Sequence, residues 1–271
     1  LVALSPKATE DSLDLGRYEA IVQAQPINVL TQNVSGLTYS EATDTLFAVI
    51  NRPPQIAELS RAGELLRTIP LKGVSDPEGI TYVAGDRFII SDEKTQSLHW
   101  ITVGSGTQAL SVVDGDHLRL NIGAMQNMGF EGLSWDSARN RLYITQEMFP
   151  SRVIVVSGAS TTVGGKGLQL DIGEWKPKGL AGLFMLDLSS ASLHERTGNL
   201  VLLSHMSSML VEYDHAGAVL SALPLWRGMQ GLDHSIAQAE GVAIGPEGDI
   251  FIVSEPNLFY RFAPGKRSPQ D

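Results

Sequence analysis

An all-β, five-bladed propeller is the fold this chain predicts, and three observations predict it. The first is a repeated pattern: an acidic or small residue, a tiny residue, then a short alternating strand. Phe130-Glu131-Gly132-Leu133-Ser134-Trp135-Asp136 is the clearest copy. Asp76-Pro77-Glu78-Gly79-Ile80-Thr81-Tyr82 and Ala239-Glu240-Gly241-Val242-Ala243-Ile244 repeat it, and Val34-Ser35-Gly36-Leu37-Thr38-Tyr39 and Leu188-Ser189-Ser190-Ala191-Ser192-Leu193 are weaker copies. The second observation is a second strand ending at a nearly constant distance: 35 to 51 (16), 78 to 92 (14), 131 to 147 (16), 189 to 205 (16) and 240 to 255 (15). The copies recur at 43, 53, 58 and 51 residues, about the length of four antiparallel strands, the unit of a propeller blade. The third observation is that the last unit has three strands, while a lone strand near the N-terminus has no unit. A propeller closes by pairing its chain ends in one blade, which leaves no open sheet edge.

In chain order, residues 1–17 are polar, with Pro6 and the acidic Glu10, Asp11 and Asp14, and read as an arm or linker. Residues 18–24 are rich in β-formers and supply the closing strand, pairing with 258–262; the propeller spans 18–264 and residues 265–271 form a tail. Unit one predicts strands at 37–40, 46–50, 56–60 and 65–71. Unit two predicts 80–83, 87–91, 98–103 and a long region, 110–122, broken at Asp114-Gly115-Asp116. Unit three predicts 133–136, 141–145, 153–157 and 168–172, with Gly164-Gly165-Lys166-Gly167 as a flexible turn. Unit four predicts 192–194, 200–204, 210–214 and 219–225; unit five predicts 242–244, 250–254 and 259–262. The connections carry Asp, Asn, Gly and Ser, the residues that hairpin turns require. No long amphipathic helix is predicted, only a helical turn within 230–239.

Composition narrows the function. The 271 residues suffice for a large core. A net charge of −10 disfavours nucleic acid and anionic membranes as partners, since both need Lys/Arg clusters; it suits cations, although solubility alone also accounts for it. The absence of cysteine excludes disulfides, thiolate metal sites and cysteine nucleophiles. No apolar run approaches the ~18 residues of a membrane span, so the propeller is not membrane-embedded. Leu1-Val2-Ala3-Leu4-Ser5-Pro6 lacks Met and a basic segment, and reads as what remains after removal of an export signal or membrane anchor.

In a propeller, the start of each innermost strand and the end of the next lie on one face. The constant offsets therefore predict two rings at one channel mouth: Ser35, Glu78, Glu131, Ser189 and Glu240 inside, and Asn51, Asp92, Glu147, His205 and Glu255 around them. Six are carboxylates and none is Lys or Arg, though Arg52 and Lys94 adjoin the outer ring. Converging carboxylates repel, so they must protonate or share a cation. An all-oxygen, multi-ligand setting suits Ca²⁺ better than Zn²⁺. Glu78, Glu131 and Glu240 are the candidate calcium ligands, with Asp92, Glu147 and Glu255 as outer ligands or second-shell acceptors. Ser35, Asn51, Ser189 and His205 are candidates to contact a bound ligand. The alternative is that each Glu caps backbone amides of the adjoining blade without metal.

Other motifs are missing or weak. The six histidines form no HxH or HxxxH pair, which argues against zinc. There is no GxSxG, GxxxxGK[ST] or GxGxxG. Asp114-Gly115-Asp116 opens like a calcium loop, but position 125 is Met rather than the closing Glu, so it reads as a turn. His234 and the tryptophans, Trp100, Trp135, Trp175 and Trp226, are assigned to structure.

Ser35–Ser40, Leu66-Arg67-Thr68-Ile69-Pro70-Leu71, Phe130–Leu133, Gln238–Ala243 and Val253-Ser254-Glu255-Pro256-Asn257 resemble the SdiA-regulated, or YjiK-like, bacterial family. The resemblance covers about residues 18–264. It implies a five-bladed propeller distantly akin to NHL-repeat proteins, a bound calcium ion and a periplasmic or otherwise extracytoplasmic location; it implies no established activity. Two function classes follow. One is a monomeric, non-catalytic module that binds a protein, peptide, small molecule or cell-envelope ligand on its acidic face. The other is a calcium-dependent hydrolase of lactonase or phosphoesterase type, with the metal as Lewis acid and His205 as the one proton-shuttle candidate in the rings.

Overall fold

Strands dominate the computed structural model, which describes residues 11–30, 33–120, 129–147, 151–158, 170–179 and 185–265. In chain order, β1 (Tyr18–Pro26) precedes blade one, which is β2 (Val34–Ser40), β3 (Thr45–Asn51), β4 (Pro54–Leu59) and β5 (Leu65–Lys72). Blade two begins with β6 (Pro77–Ala84), β7 (Arg87–Asp92) and β8 (Ser97–Thr102), and is completed, after β9 (Leu110–Ser111), by β10 (His117–Arg119). Blade three is β11 (Phe130–Asp136), β12 (Arg141–Gln146), β13 (Arg152–Ser157) and β14 (Asp171–Trp175). Blade four is β15 (Ser190–His194), β16 (Asn199–Ser204), β17 (Met209–Tyr213) and β18 (Val219–Pro224). Blade five is β19 (Ala239–Ile244), β20 (Ile250–Ser254) and β21 (Leu258–Pro264), and its fourth strand is β1, antiparallel to β21 from Tyr18↔Pro264 to Pro26↔Leu258. The five blades and the closing strand match the reading of the repeats.

The second strand of each blade is buried on both faces because blades pack face to face, so it reads as an apolar run rather than an alternation. Leu200-Val201-Leu202-Leu203 and Ile250-Phe251-Ile252-Val253 are fully enclosed this way. The core is accordingly five clusters, one at each blade junction. Phe47, Val49, Ile80 and Ile90 fill the junction of blades one and two; Val201, Leu203, Val242 and Ile252 fill that of blades four and five. The innermost strands β2, β6, β11, β15 and β19 touch in sequence, and β19 returns to β2.

Two features let these strands approach. A Cβ on Gly132 would lie 2.6 Å from Ser190 Cα, and one on Gly79 2.4 Å from the Glu131 carbonyl oxygen, so a glycine is required at both places. Hydroxyls one turn of the pleat further on then bridge the blades. Thr38 Oγ1 accepts from Tyr82 N at 3.0 Å, Thr81 Oγ1 from Trp135 N at 3.0 Å, and Ser134 Oγ from Leu193 N at 2.8 Å.

Four expectations are corrected. The 110–122 region splits: β9 crosses to pair parallel with β5 at Leu71 and Lys72, giving blade one a fifth strand, and only β10 completes blade two. The turn at Gly115, whose N–H bonds to the Val112 carbonyl, separates them. No helical turn occupies 230–239, because Gln230, Gly231 and Gln238 all have positive φ; buried Leu232 and Ile236 pin that loop to the core instead. The outer strand of blade three is Asp171–Trp175 rather than 168–172. Pairing from Ser157↔Asp171 to Val153↔Trp175 places it, and its residues, exposed from Asp171 to Glu174, show no alternation of buried apolar positions. Residues 168–169 and Gly164–Gly167 lie outside the described residues. Lastly, Trp226 is exposed, whereas Trp135 is buried and Trp175 meets the Tyr213 ring edge-on at 5.4 Å.

Residues 11–17 lie against blade four. Leu15 is fully buried at the head of a 3-10 turn, Leu15–Arg17. The Glu212 carboxylate, also fully buried, accepts from Ser12 Oγ (2.7 Å), Leu13 N (2.9 Å), Asn199 Nδ2 (2.8 Å) and Ser221 Oγ (2.6 Å).

Candidate metal centre

A β-bulge sits at the head of four inner strands, where the ladder slips between Val34 and Leu37, Pro77 and Ile80, Phe130 and Leu133, and Ala239 and Gly241. Each slip contains one inner-ring position: Ser35, Glu78, Glu131 or Glu240. A bulge re-aims a side chain off the regular pleat, so the repeated pattern is a device for presenting one residue per blade. In blade four the β15–β16 ladder itself shows no slip, though the Ser189 N–H bonds to the Leu203 carbonyl, opposite Ser190. Ser189 precedes β15, and its hydroxyl donates to the Ala239 carbonyl at 2.8 Å, tying blade four to blade five.

Glu78 is the best described of the three inner carboxylates. Asn51 Nδ2 donates to its Oε1 at 2.8 Å, and the Ser35 hydroxyl also bonds to it. Both partners are side chains of blade one, not backbone amides. Burial still pushes Glu78 up to about 7. Asn51 Oδ1, on the same amide, is enclosed and has no hydrogen-bond partner among the described residues. Carboxylate oxygens of Asp76, Glu78 and Glu93 all lie within 4.8 Å of one another. Burial raises Glu93, and the charges of Asp76 and Glu147 add to it. Glu131 is raised well above the usual carboxylate range, by burial first and then by Glu78, Glu93, Glu147 and Glu240. Burial likewise brings Glu240 to about 7, with His205 opposing and Glu255, Glu78 and Glu147 reinforcing the rise. Glu78, Glu131 and Glu240 stand at the heads of inner strands that neighbour one another around the ring, close enough for their charges to act on each other.

On the blade-four side stands a second group. Asp187 is fully buried; its Oδ1 accepts from the Ser204 hydroxyl and from Met206 N at 3.1 Å. Its Oδ2 lies 2.9 Å from His205 Nδ1, and Glu240 Oε1 lies 3.8 Å from the same nitrogen. Asp187, Glu147 and His205 offer ligand atoms within 4.8 Å of one another. The Asp187 carboxylate raises the imidazole pKa against the effect of burial. Burial would raise Asp187 in turn, but His205, Ser204 and the Met206 N–H together hold it below its usual value. Leu186 and Met206, flanking the group in sequence, are 58% and 53% exposed.

The other outer-ring acids hold loops. Buried Asp92 accepts from Ser75 N (3.2 Å) and Ser75 Oγ (3.3 Å). Glu255 accepts from Gln238 Nε2 (3.2 Å) and Asn33 Nδ2 (3.5 Å). Among the described residues no Lys or Arg forms an ion pair with any of these carboxylates; Arg52 and Lys94 are exposed. His234 is exposed as well.

Asp76, Glu93 and Asp187 are the mouth residues that the ring argument missed. A signal for two of them was present. Asp76 stands two residues before Glu78, and Asp187 two before Ser189, as do Asn33, Gly129 and Gln238 before the other inner positions. Residues two apart on an extended chain share a face, so this is a third ring. A cavity lined by Trp100, Trp135, Arg87 and Asp116 lies elsewhere, at the opposite ends of these strands between blades two and three.

A family model described as SdiA-regulated matches residues 10–263. Among solved structures, luciferin-regenerating enzyme shares 13% identity at a TM-score of 0.54, over 93% of this chain and 97% of its own. Regucalcin from Agrobacterium tumefaciens, a calcium-binding protein, shares 12% at 0.54 over the same fractions, and streptogramin B lyase 10% at 0.51 over 93% and 99%. At these identities the likeness is one of fold.

Proposed function

Since this chain belongs to the SdiA-regulated family, we propose that it is a calcium-binding propeller whose acidic mouth binds a small-molecule, peptide or cell-envelope ligand outside the cytoplasm. One observation carries this reading: Asp76, Glu78 and Glu93 converge within 4.8 Å with no basic partner among the described residues. The donor set fits the ion. Ca²⁺ takes six to eight oxygens at roughly 2.3–2.6 Å, so ligands on opposite sides of one ion stand about 5 Å apart. Asn51 Oδ1, buried and unpartnered beside Glu78, is a further neutral oxygen for it. When bound, the ion supplies the positive charge these carboxylates lack and a position for an anionic or carbonyl oxygen of a ligand. Glu131 adds a carboxylate that becomes charged when a cation displaces its proton. Calcium binding by the regucalcin neighbour, which shares the fold, agrees with this reading. The exposed Leu186 and Met206 favour a ligand with an apolar portion beside its polar head.

Melting with calcium and with chelator tests the proposal. Calcium should raise the wild-type Tm, and calorimetry should read its uptake. Glu78→Gln should weaken uptake while the chelated variant melts at or above wild type, because a strained buried charge is gone. Equal melting in both conditions with no uptake would make the carboxylates structural. The location is checked by fractionating cells that make the full-length protein; a cytosolic pool without export would refute it.

A hydrolase of lactonase or phosphoesterase type is the second reading. It is favoured by an imidazole at the mouth, 2.9 Å from a fully buried carboxylate. Turnover of lactones or phosphoesters by the calcium-loaded protein, lost in His205→Ala, would establish it over simple binding.

A further inference from the structure

The Glu147–Asp187–His205 group is chemically different from the all-oxygen set beside it. We propose that it is a separate binding site for a divalent first-row transition ion of the Mn²⁺, Co²⁺ or Zn²⁺ class. The proposed ligands come from blades three and four and the segment between them, and the inference stands whether or not calcium occupies the other cluster.

Asp187 is built as a ligand. One oxygen, Oδ1, is saturated by the Ser204 hydroxyl and the Met206 N–H, which fixes the carboxylate plane. The other, Oδ2, is presented towards the mouth. Second-shell anchoring of this kind orients a metal-binding carboxylate. The residue is fully buried, and among the described residues Oδ2 has no partner besides the His205 imidazole, nor has the enclosed Nδ1 one besides the carboxylates at the mouth. The two atoms are 2.9 Å apart, the separation of an Asp–His ion pair, and a metal ion ligated by both would take the place of the proton between them. Neighbouring ligands on a six-coordinate ion with bonds of ~2.1 Å are separated by about 3 Å, so both lone pairs suit one shared point. Glu147 brings a third donor atom within 4.8 Å of both. Glu240 Oε1, 3.8 Å from His205 Nδ1, borders the same point. An imidazole nitrogen among carboxylates shifts preference from calcium towards borderline ions. Three protein ligands leave positions open for water or a ligand oxygen.

Cobalt is the probe. Metal-stripped protein in excess calcium should take up one Co²⁺ by calorimetry and develop the visible absorption of cobalt bound through nitrogen. His205, 27% exposed, tolerates truncation better than buried Asp187, so His205→Ala is the test variant, with its melting curve recorded to show that it folds. It should lose the band and weaken Co²⁺ by more than the roughly 10–100-fold that loss of a second-shell partner costs. Failure of the wild type to bind Co²⁺, one-for-one displacement of Co²⁺ by calcium, or retention of the band by folded His205→Ala would each overturn the proposal. The calcium reading is judged separately, by the calcium-dependent Tm.

Discussion

Glu78, Glu131 and Glu240 make the apo protein's stability depend on pH. Their pKa values in the folded state are raised, to about 7 for Glu78 and Glu240, from an ordinary 4.5. The folded state therefore holds these protons more tightly than the unfolded chain. The resulting stability is fully present below the unfolded pKa and is lost as pH rises through the folded one. In chelator, Tm should fall between about pH 5 and about pH 8, and Glu78→Gln should show a smaller fall over the same range. Calcium affinity should run the other way, rising with pH as the ion displaces those protons. At Gly132 the constraint is steric: a Cβ would meet Ser190 Cα, Ala191 N and Thr145 Oγ1 within 2.8 Å. Gly132→Ala should cost ~1–3 kcal/mol in urea denaturation, with strain transmitted to the blade three–four junction.

The innermost strands owe their mutual registration to hydroxyls as well as to apolar packing. Thr81→Val keeps the shape but leaves the buried Trp135 N–H without an acceptor. A loss of about 1–3 kcal/mol is expected, measured as a lower denaturation midpoint at unchanged slope. The N-terminal arm has a different kind of hold. Glu212 gathers a serine hydroxyl and a backbone N–H from the arm together with Asn199 and Ser221 of blade four. Glu212→Ala should release the arm, so that the Leu13 amide exchanges with solvent quickly while β16 stays protected. Slow exchange at Leu13 in that variant would show that burial of Leu15 alone secures the segment.

Ring closure is a property of the whole molecule. β1 is 230 or more residues from its partner β21 in sequence, yet the blade four–five core includes Tyr18 and Phe262, and the Tyr18 hydroxyl bonds the Gly248 carbonyl at 2.8 Å. Deleting residues 1–26 would expose the β21 edge and open the ring. The truncated chain should lose its single cooperative melting transition and self-associate on a sizing column. A truncated chain that stays monodisperse and melts like wild type would mean that the remaining four junctions suffice.

The sequence by itself determined the blade count, the four-strand repeat and the strand that closes the ring, because each depends on spacing within one blade or on a blade left one strand short. A period of two, a tiny residue after an acidic one and an offset of 14 to 16 are local rules that survive any arrangement of the blades. Only the tertiary structure decided which residues meet. Asn51 reaches Glu78 across a blade junction, Asp187 stands nearer to His205 than inner-ring Glu240 does, and Ser189 turns its hydroxyl to the Ala239 carbonyl. Such meetings join residues of different blades, or of a loop and a strand, and depend on ring curvature and on the bulges that re-aim single side chains. The parallel pairing of β9 with β5 and the exposed β14 were decided the same way, by a neighbouring edge offering hydrogen bonds to segments with little apolar pattern of their own.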